Sequence, residues 1–545
     1  MRSTMMETPL QIHRLLEHGS RLHADSQLVT ATEDGSRTTT FAEAGRQAAR
    51  LAHALRALGI DGDQRVGTFM WNNAEHVVTY LAVPAMGAVL HPINIRLPGQ
   101  QIVYTVADAD DQVVIVDNSL VPGFTELLPH LPTLCHVVVN GPADLSPLRA
   151  AAPDGVQVHE WDTLLEGRPT TFEWPDVDEN DAAAINYTSG TTGDPRGVAF
   201  SHRSVVLHAL SVAVPDMFGL SAADQLLVVV PQFHVLAWGT PYTAIVTGTS
   251  LALPDRFLAP EPLAAFIAHA RPNRGAGVPT VWGGLAQLAA SAPEQVDLSS
   301  LEELVVGGSA MSASLMDTYD ALGIRLVHAW GMTETSPLGA LSRPPVGASA
   351  ADARAYRLRQ GTFPALVEAR LTDPADEELP WDGESVGELE VRGPWITGSY
   401  LGGHDTDRFH DGWLRTGDVG HVTPDGYLQL TDRVKDVIKS GGEWISSVEL
   451  EGQLMAHTAV AEASVVGVPD ETWGERPLAT VVLERGQSVT PEELRAFLAD
   501  RVPRWQLPER WAFIEEVPKT SVGKFDKKAL RAAYADGELD VTDQR

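Results

Sequence analysis

Residues 187–198 read Tyr-Thr-Ser-Gly-Thr-Thr-Gly-Asp-Pro-Arg-Gly-Val. The run is dense in hydroxyls and glycines, and a cation, Arg196, closes it. Backbone N–H and side-chain O–H groups in such a loop can be offered to phosphate oxygens. It is not a Walker loop: the fifth residue after Gly190 is Pro195, and the fifth after Gly193 is Val198, where that pattern needs the glycine of its Gly-Lys pair. Its flanks, Ala-Ala-Ile-Asn-Tyr-Thr (183–188) and Gly-Val-Ala-Phe-Ser (197–201), read as strands, so the loop joins strand to strand. On composition alone the central Ser-Gly-Thr-Thr-Gly also fits an ordinary hairpin loop. The Tyr-Thr before it and the Asp-Pro-Arg-Gly after it favour a phosphate site.

Outward from the loop, helical and strand patterns alternate. Thr40 and Glu43 have capping-box spacing ahead of an amphipathic run. Apolar strands are expected at 64–70, 112–117, 225–230, 301–308 and 324–331. The alternation predicts an α/β fold with largely buried sheets. From about Gly387 the texture changes to short hairpin strands (387–393, 412–430) with Gly/Asp turns. A charged, turn-rich stretch (432–442) then leads into a helix beginning near Ser446. The boundary falls near 432. The expected architecture is α/β: a large N-terminal domain (1–432) of mixed sheets flanked by helices with a β-hairpin-rich subdomain, and a small α+β C-terminal domain (433–545).

Composition bounds the function. Apolar residues make up 44% and charged residues 21% of 545 residues, as in a globular protein. A formal charge of −32 repels polyanions and argues against a nucleic-acid or anionic-membrane partner. The single cysteine, Cys135, excludes an intrachain disulfide or a cysteine metal cluster, and is read as a buried small hydrophobe. The N-terminus lacks the apolar core of a signal peptide, and no apolar run is long enough to span a bilayer. A cytoplasmic protein is expected. Only six of 40 basic residues are lysine, the first being Lys435. Lysine confined to the last quarter suggests that some of those positions need an ammonium group.

The opening loop resembles the phosphate-loop signature of the adenylate-forming superfamily, which comprises acyl-CoA synthetases, peptide-synthetase adenylation domains and firefly luciferase. The likeness continues in order along nearly the whole chain. His-Ala-Trp-Gly-Met-Thr-Glu-Thr-Ser-Pro (328–337) resembles the adenine-and-magnesium motif, and 412–420 the ribose-aspartate motif. Residues 432–451 resemble the hinge and thiol-site segment, and 518–531 the terminal lysine motif.

The resemblance implies ATP, Mg2+ and coenzyme A as cofactors, and a mobile C-terminal domain. Thr188, Ser189, Gly190, Thr191, Thr192, Gly193 and Arg196 would hold phosphates. Gly308, Ser309, Ala310, Ala329, Trp330, Gly331, Met332 and Thr333 would frame the adenine, with Trp330 stacking on it. Glu334 would hold Mg2+, with Thr188 as a second metal contact; a single carboxylate suits an ion that also binds phosphates. Asp418 and Arg433 would contact the ribose, and Lys435 would be the hinge. Lys524 would bridge the carboxylate and the α-phosphate, neutralising charge as two anions meet; Lys527 and Lys528 read as a solvated helix face. Lys439, Ser440, Gly441, Gly442, Glu443 and Trp444 would face coenzyme A.

Pro-Gln-Phe-His-Val-Leu-Ala-Trp-Gly (231–239) resembles a segment of medium- and long-chain fatty acyl-CoA ligases. On that likeness His234 packs beside the reacting carboxyl, Trp238 gates the acyl channel, and Val235 and Gly239 line it. Those ligases are the part of the superfamily that the chain is most like. The implied activity is an ATP-dependent acyl-CoA ligase acting on a hydrophobic carboxylic acid or its adenylate. The sequence is silent on oligomeric state, a homodimer being left open. Four histidines outside these motifs, His202, His208, His404 and His410, read as structural or exposed.

Three departures stand out. Arg196 replaces the usual phosphate-loop lysine, a bulkier forked cation in place of a compact one. Ala365 and Leu366 replace a Pro-Gly pair, and Gln232 and Leu236 replace Met and Asn near the gate. The last two point to a specialised acid, whereas Arg196 is either a drift that preserves the charge or a change that makes adenylation slow or lost. Three alternatives stay open: a half-enzyme that only thioesterifies a supplied adenylate, a carrier-protein loader, and a non-catalytic nucleotide binder.

Overall fold

The computed structural model describes residues 1–188, 194–441, 443–519 and 525–544, with Glu443 and Trp444 described by their backbone alone. The chain forms two compact units. The first comprises Met1–Val306, Trp330–Gly339 and Arg392–Phe409; the second comprises Gly307–Ala329, Ala340–Val391 and the chain from His410 onward.

In the first unit, one sheet runs in the order Gln157–Glu160, His136–Asn140, Asp111–Asp117, Arg65–Phe69, Val89–Pro92, Ala182–Tyr187, Gly197–Ser201. All neighbours are parallel except the last pair, which is antiparallel. Val113 to Val116 is a continuous apolar run with no exposure, as a strand covered on both faces requires. A second sheet orders Glu303–Val306, Arg274–Gly277, Gln225–Val228, Ser250–Leu253, Gln27–Thr32 and Gly35–Thr40, parallel until its final pair.

The helix Phe41–Ala57 starts where the sequence placed it. The Thr40 hydroxyl accepts from the Glu43 amide at 3.2 Å, satisfying one of the open N–H groups of the first turn. Phe41, Ala44, Ala48, Leu51, Ala52 and Leu55 are buried, an apolar stripe at helical spacing.

In the second unit, the strands Glu378–Leu379, Glu368–Thr372, Gly387–Arg392, Trp413–Val422 and Leu428–Arg433 form the hairpin-rich sheet. A terminal sheet is built around the long antiparallel pair Val460–Asp470 and Gly474–Leu483. The strand Gly474–Leu483 also pairs with Ile438–Ser440, which continues to Glu443–Ile445, and with Arg510–Phe513, which continues to Val541–Asp543. The helices Ser447–Leu454 and Pro491–Ala499 place Leu450, Leu454, Leu494 and Leu498 in its core. The helix Lys527–Ala535 packs Leu530 against a second cluster.

Two expectations are corrected. Cys135 is exposed, not buried. It lies just before the strand His136–Asn140, where its neighbour Leu134 takes the core position. Lys527 is not on a solvated helix face. Its side chain is 11% exposed and lies 2.9 Å from Glu451 Oε1, because two acidic groups converge beneath the helix. Lys528 is exposed, as read.

Candidate active site

The turn after the strand Arg325–Gly331 is shaped by what cannot fit there. A Cβ on Gly331 would stand 1.6 Å from the Pro337 carbonyl oxygen. The chain therefore folds back tightly, closed by Thr335: its hydroxyl accepts from the Met332 amide at 2.9 Å and donates to the Pro337 carbonyl. The Trp330 ring lies against Gly339, where a Cβ would be 2.3 Å away, and is buried. The fold-back buries Glu334 to 3% exposure. A buried carboxylate needs a partner, and two converge on Oε1. The Tyr400 hydroxyl donates to it, and Arg408 Nη1 lies 3.0 Å away. Burial, with the Glu334 charge second, pushes the Tyr400 phenol well up.

The ends of the phosphate loop are tied across. The Thr188 amide donates to the Arg196 carbonyl at 2.9 Å, and the Arg196 amide donates to Thr188 Oγ1 at 3.0 Å. This continues the antiparallel pair Ala182–Tyr187 and Gly197–Ser201. Ser189 to Gly193 lie outside the described residues. The Arg196 guanidinium pairs through Nε with Asp405 Oδ2 at 2.9 Å. That bond holds the Asp405 carboxyl below its ordinary value and raises Arg196. Glu334 and Arg196 are thus both answered by the segment Tyr400–Arg408, in the same unit.

The expected acyl segment is in this unit too. Asn186 Oδ1 accepts from the Leu236 amide at 2.9 Å, tying residues 233–236 to the strand that carries the phosphate loop. Val235, Leu236, Ala237 and Trp238 have φ of 37°, 46°, 51° and 56°, a left-handed run that costs each non-glycine residue about 1–2 kcal/mol. Gly239 (φ 73°) ends it, against the His208 ring. Trp238 is buried, and His234 partly so. Gln232 is fully buried, and among the described residues neither its amide oxygen nor its nitrogen has a hydrogen-bond partner.

In the second unit, Asp418 and Arg433 sit opposite each other on paired strands. Arg433 Nε lies 2.9 Å from Asp418 Oδ1. Lys435 follows, lowered by burial and by Arg433. The Arg531 guanidinium holds this stretch through Asp436 Oδ1 at 2.7 Å and the Lys435 carbonyl at 3.3 Å. Gly308 has φ of 84°, and Ser309 and Ala310 beside it are exposed. Lys439 and Ser440 pair with Trp444 and Glu443 along the backbone. The Arg476 guanidinium donates to Ser440 Oγ at 3.1 Å, and Gly441 (φ 62°) packs against Trp473. Gly442 and Lys524, and the side chains of Glu443 and Trp444, lie outside the described residues.

Sequence reading missed Tyr400, Asp405 and Arg408. They lie 66, 209 and 74 residues from their partners, so no local pattern pairs them. Among the described residues no group of three or more His, Cys, Asp or Glu could hold a metal. The buried carboxylate of Glu334 still fits Mg2+, which in nucleotide sites takes one or two carboxylates and completes its shell with phosphates and water.

Two sheets carrying such a loop and turn, followed by a separate terminal sheet, are the layout of an adenylate-forming enzyme. A solved anthranilate CoA ligase in complex with anthranoyl-AMP superimposes with a TM-score of 0.87 at 26% identity, covering 99% of this chain and 100% of that one. The chain belongs to the AMP-binding enzyme family: the family model matches residues 16–401, and that of the AMP-binding enzyme C-terminal domain matches 449–524. It is 41% identical to the 3-methylmercaptopropionyl-CoA ligase of Ruegeria pomeroyi over 98% of this chain and 99% of that one. It is 40% identical to the medium-chain-fatty-acid–CoA ligase of Ectopseudomonas oleovorans, over 98% of each.

Proposed function

We propose that the protein is an AMP-forming acyl-CoA ligase acting on a hydrophobic carboxylic acid. The observation that carries this is end-to-end similarity to chains named as CoA ligases, joined to the buried Glu334 turn. The acid's carboxylate attacks the α-phosphate of ATP, forming acyl-AMP and releasing pyrophosphate. The thiol of coenzyme A then attacks the acyl carbon, and AMP leaves. Mg2+, when bound, screens the charge of the phosphates.

The chain's own residues position and neutralise. The loop from Thr188 to Arg196 holds the phosphates; Trp330, with Gly308 to Ala310, frames the base; Asp418 and Arg433 take the ribose hydroxyls. Lys524 stabilises charge at the α-phosphate, and His234 and Trp238 bound the acyl site. Residues 433–545 move about Lys435 between the two half-reactions. Residues 439–444 face coenzyme A, and the setting is cytoplasmic. Lys524→Ala tests the assignment. Acid-dependent pyrophosphate release should vanish, while thioester formation from supplied acyl-AMP is largely spared. Equal loss of both steps would overturn the role of Lys524.

One observation favours a second reading. Arg196, which stands where the family pattern has lysine, is engaged by Asp405. If that engagement persists with nucleotide, only the thioester-forming half-reaction survives, since it involves no pyrophosphate.

A further inference from the structure

Glu334 is buried, yet it does not wait as a bare carboxylate. Oε1 accepts from the Tyr400 hydroxyl, and the Arg408 guanidinium sits 3.0 Å away. Arg408 also reaches the Tyr400 hydroxyl and lies over the Tyr400 ring, 5.8 Å from its centre. The positive charge that a buried carboxylate demands is thus supplied by the protein. Three residues upstream of Arg408, Asp405 does the converse for Arg196. One short segment therefore satisfies both the anion that would meet the metal and the cation that would meet the phosphates.

We propose that Arg408 is an exchangeable counter-cation for Glu334, holding the carboxylate when no nucleotide is bound and competing with the Mg2+ of the incoming Mg-ATP. This rests on the reading of Glu334 as the metal contact. Two cations cannot share one buried carboxylate without repulsion. When the metal arrives, Arg408 leaves Glu334. Arg408 is a positioning residue: it tunes how much the metal adds to nucleotide binding.

The readout is binding, not turnover. Isothermal titration calorimetry of the full chain measures the Kd of ATP in excess Mg2+ and in EDTA, and their ratio is the gain from the metal. In Arg408→Gln that gain should rise by about threefold to fivefold, the upper scale of one charge pair. Arg408→Lys, which keeps the charge, should stay within about twofold of the parent. Tyr400→Phe, which removes only a hydroxyl donor, should move the gain in the same direction by less, and it serves if Arg408→Gln does not fold. An unchanged or smaller gain in these neutralising variants overturns the proposal. Glu334→Gln separates the two levels. Its gain should collapse; if it does and Arg408→Gln does nothing, the exchange alone is wrong. If Glu334→Gln keeps the full gain, the metal role of Glu334 is wrong as well.

Discussion

Lys527→Met should be among the most damaging single substitutions in the second unit. Lys527 Nζ lies 2.9 Å from Glu451 Oε1, with side-chain exposures of 11% and 8%. It also donates to Ser447 Oγ, and both the amide (2.6 Å) and hydroxyl of Ser447 donate to Asp432 Oδ2. Burial raises Glu451 and Asp432, and Lys527 lowers both; Lys527, though buried, is held above its ordinary value by the pair. Methionine fills similar volume but leaves two buried carboxylates without their cation, a loss of about 3–5 kcal/mol. Glu451 also accepts from the Val465 amide at 2.7 Å and from Ser464 Oγ at 3.1 Å. Glu451→Gln can keep those bonds while removing the charge, so Lys527→Met with Glu451→Gln should recover all but about 1–2 kcal/mol. The whole chain is too large for two-state unfolding. Hydrogen–deuterium exchange of peptides covering 447–470 therefore reads the local opening free energy of single and double variants. A single variant costing under about 1 kcal/mol, or a double no better than the single, would refute the argument.

Other consequences follow from the same geometry. Gly331→Ala places a Cβ 1.6 Å from the Pro337 oxygen; the displaced turn should cut pyrophosphate release by about a hundredfold, and normal release would contradict the placement of Glu334. Gln232→Met removes a buried amide with no hydrogen-bond partner among the described residues and should stabilise its surroundings by about 1–3 kcal/mol, read as slower hydrogen–deuterium exchange of peptides covering 225–240; faster exchange would mean that the amide is satisfied. Burial pushes His208 down to about 3, and His76 and His202 down to about 4. Their folded values lie below the unfolded one, so the unfolded state gains protons first as pH falls through 6.5, costing about 2 kcal/mol each at pH 5. Asp117, pushed up to about 7 by burial, regains its proton in the fold over the same range and offsets roughly one histidine. These four groups together are expected to cost on the order of 3 kcal/mol between pH 7 and pH 5, in the direction of a falling melting temperature; a flat or rising one would contradict the expectation.

Much of the fold was legible because buried parallel strands write themselves as apolar runs. Val113 to Val116 and the strands flanking the phosphate loop could be placed within a residue or two. The hairpins after Gly387 were legible through their Gly/Asp turns. What stayed hidden depends on distant partners. The converging acids that bury Lys527 are 76 and 95 positions away in sequence, and a helix face bearing two lysines looks solvated from sequence alone. Likewise Glu334 and Arg196 could be picked out as motif residues, but not Tyr400, Arg408 and Asp405, which answer them. The left-handed run at 235–238 was also invisible, because it carries valine, leucine, alanine and tryptophan where glycine would have marked it.

The most direct test of the central claim uses two arms on the purified chain. One offers Mg-ATP and a panel of hydrophobic carboxylic acids and measures pyrophosphate; the other offers synthetic acyl-AMP and coenzyme A and measures thioester. An AMP-forming acyl-CoA ligase gives acid-dependent pyrophosphate in the first and acyl-CoA in the second. Silence in both arms, with ATP still bound, would contradict that assignment.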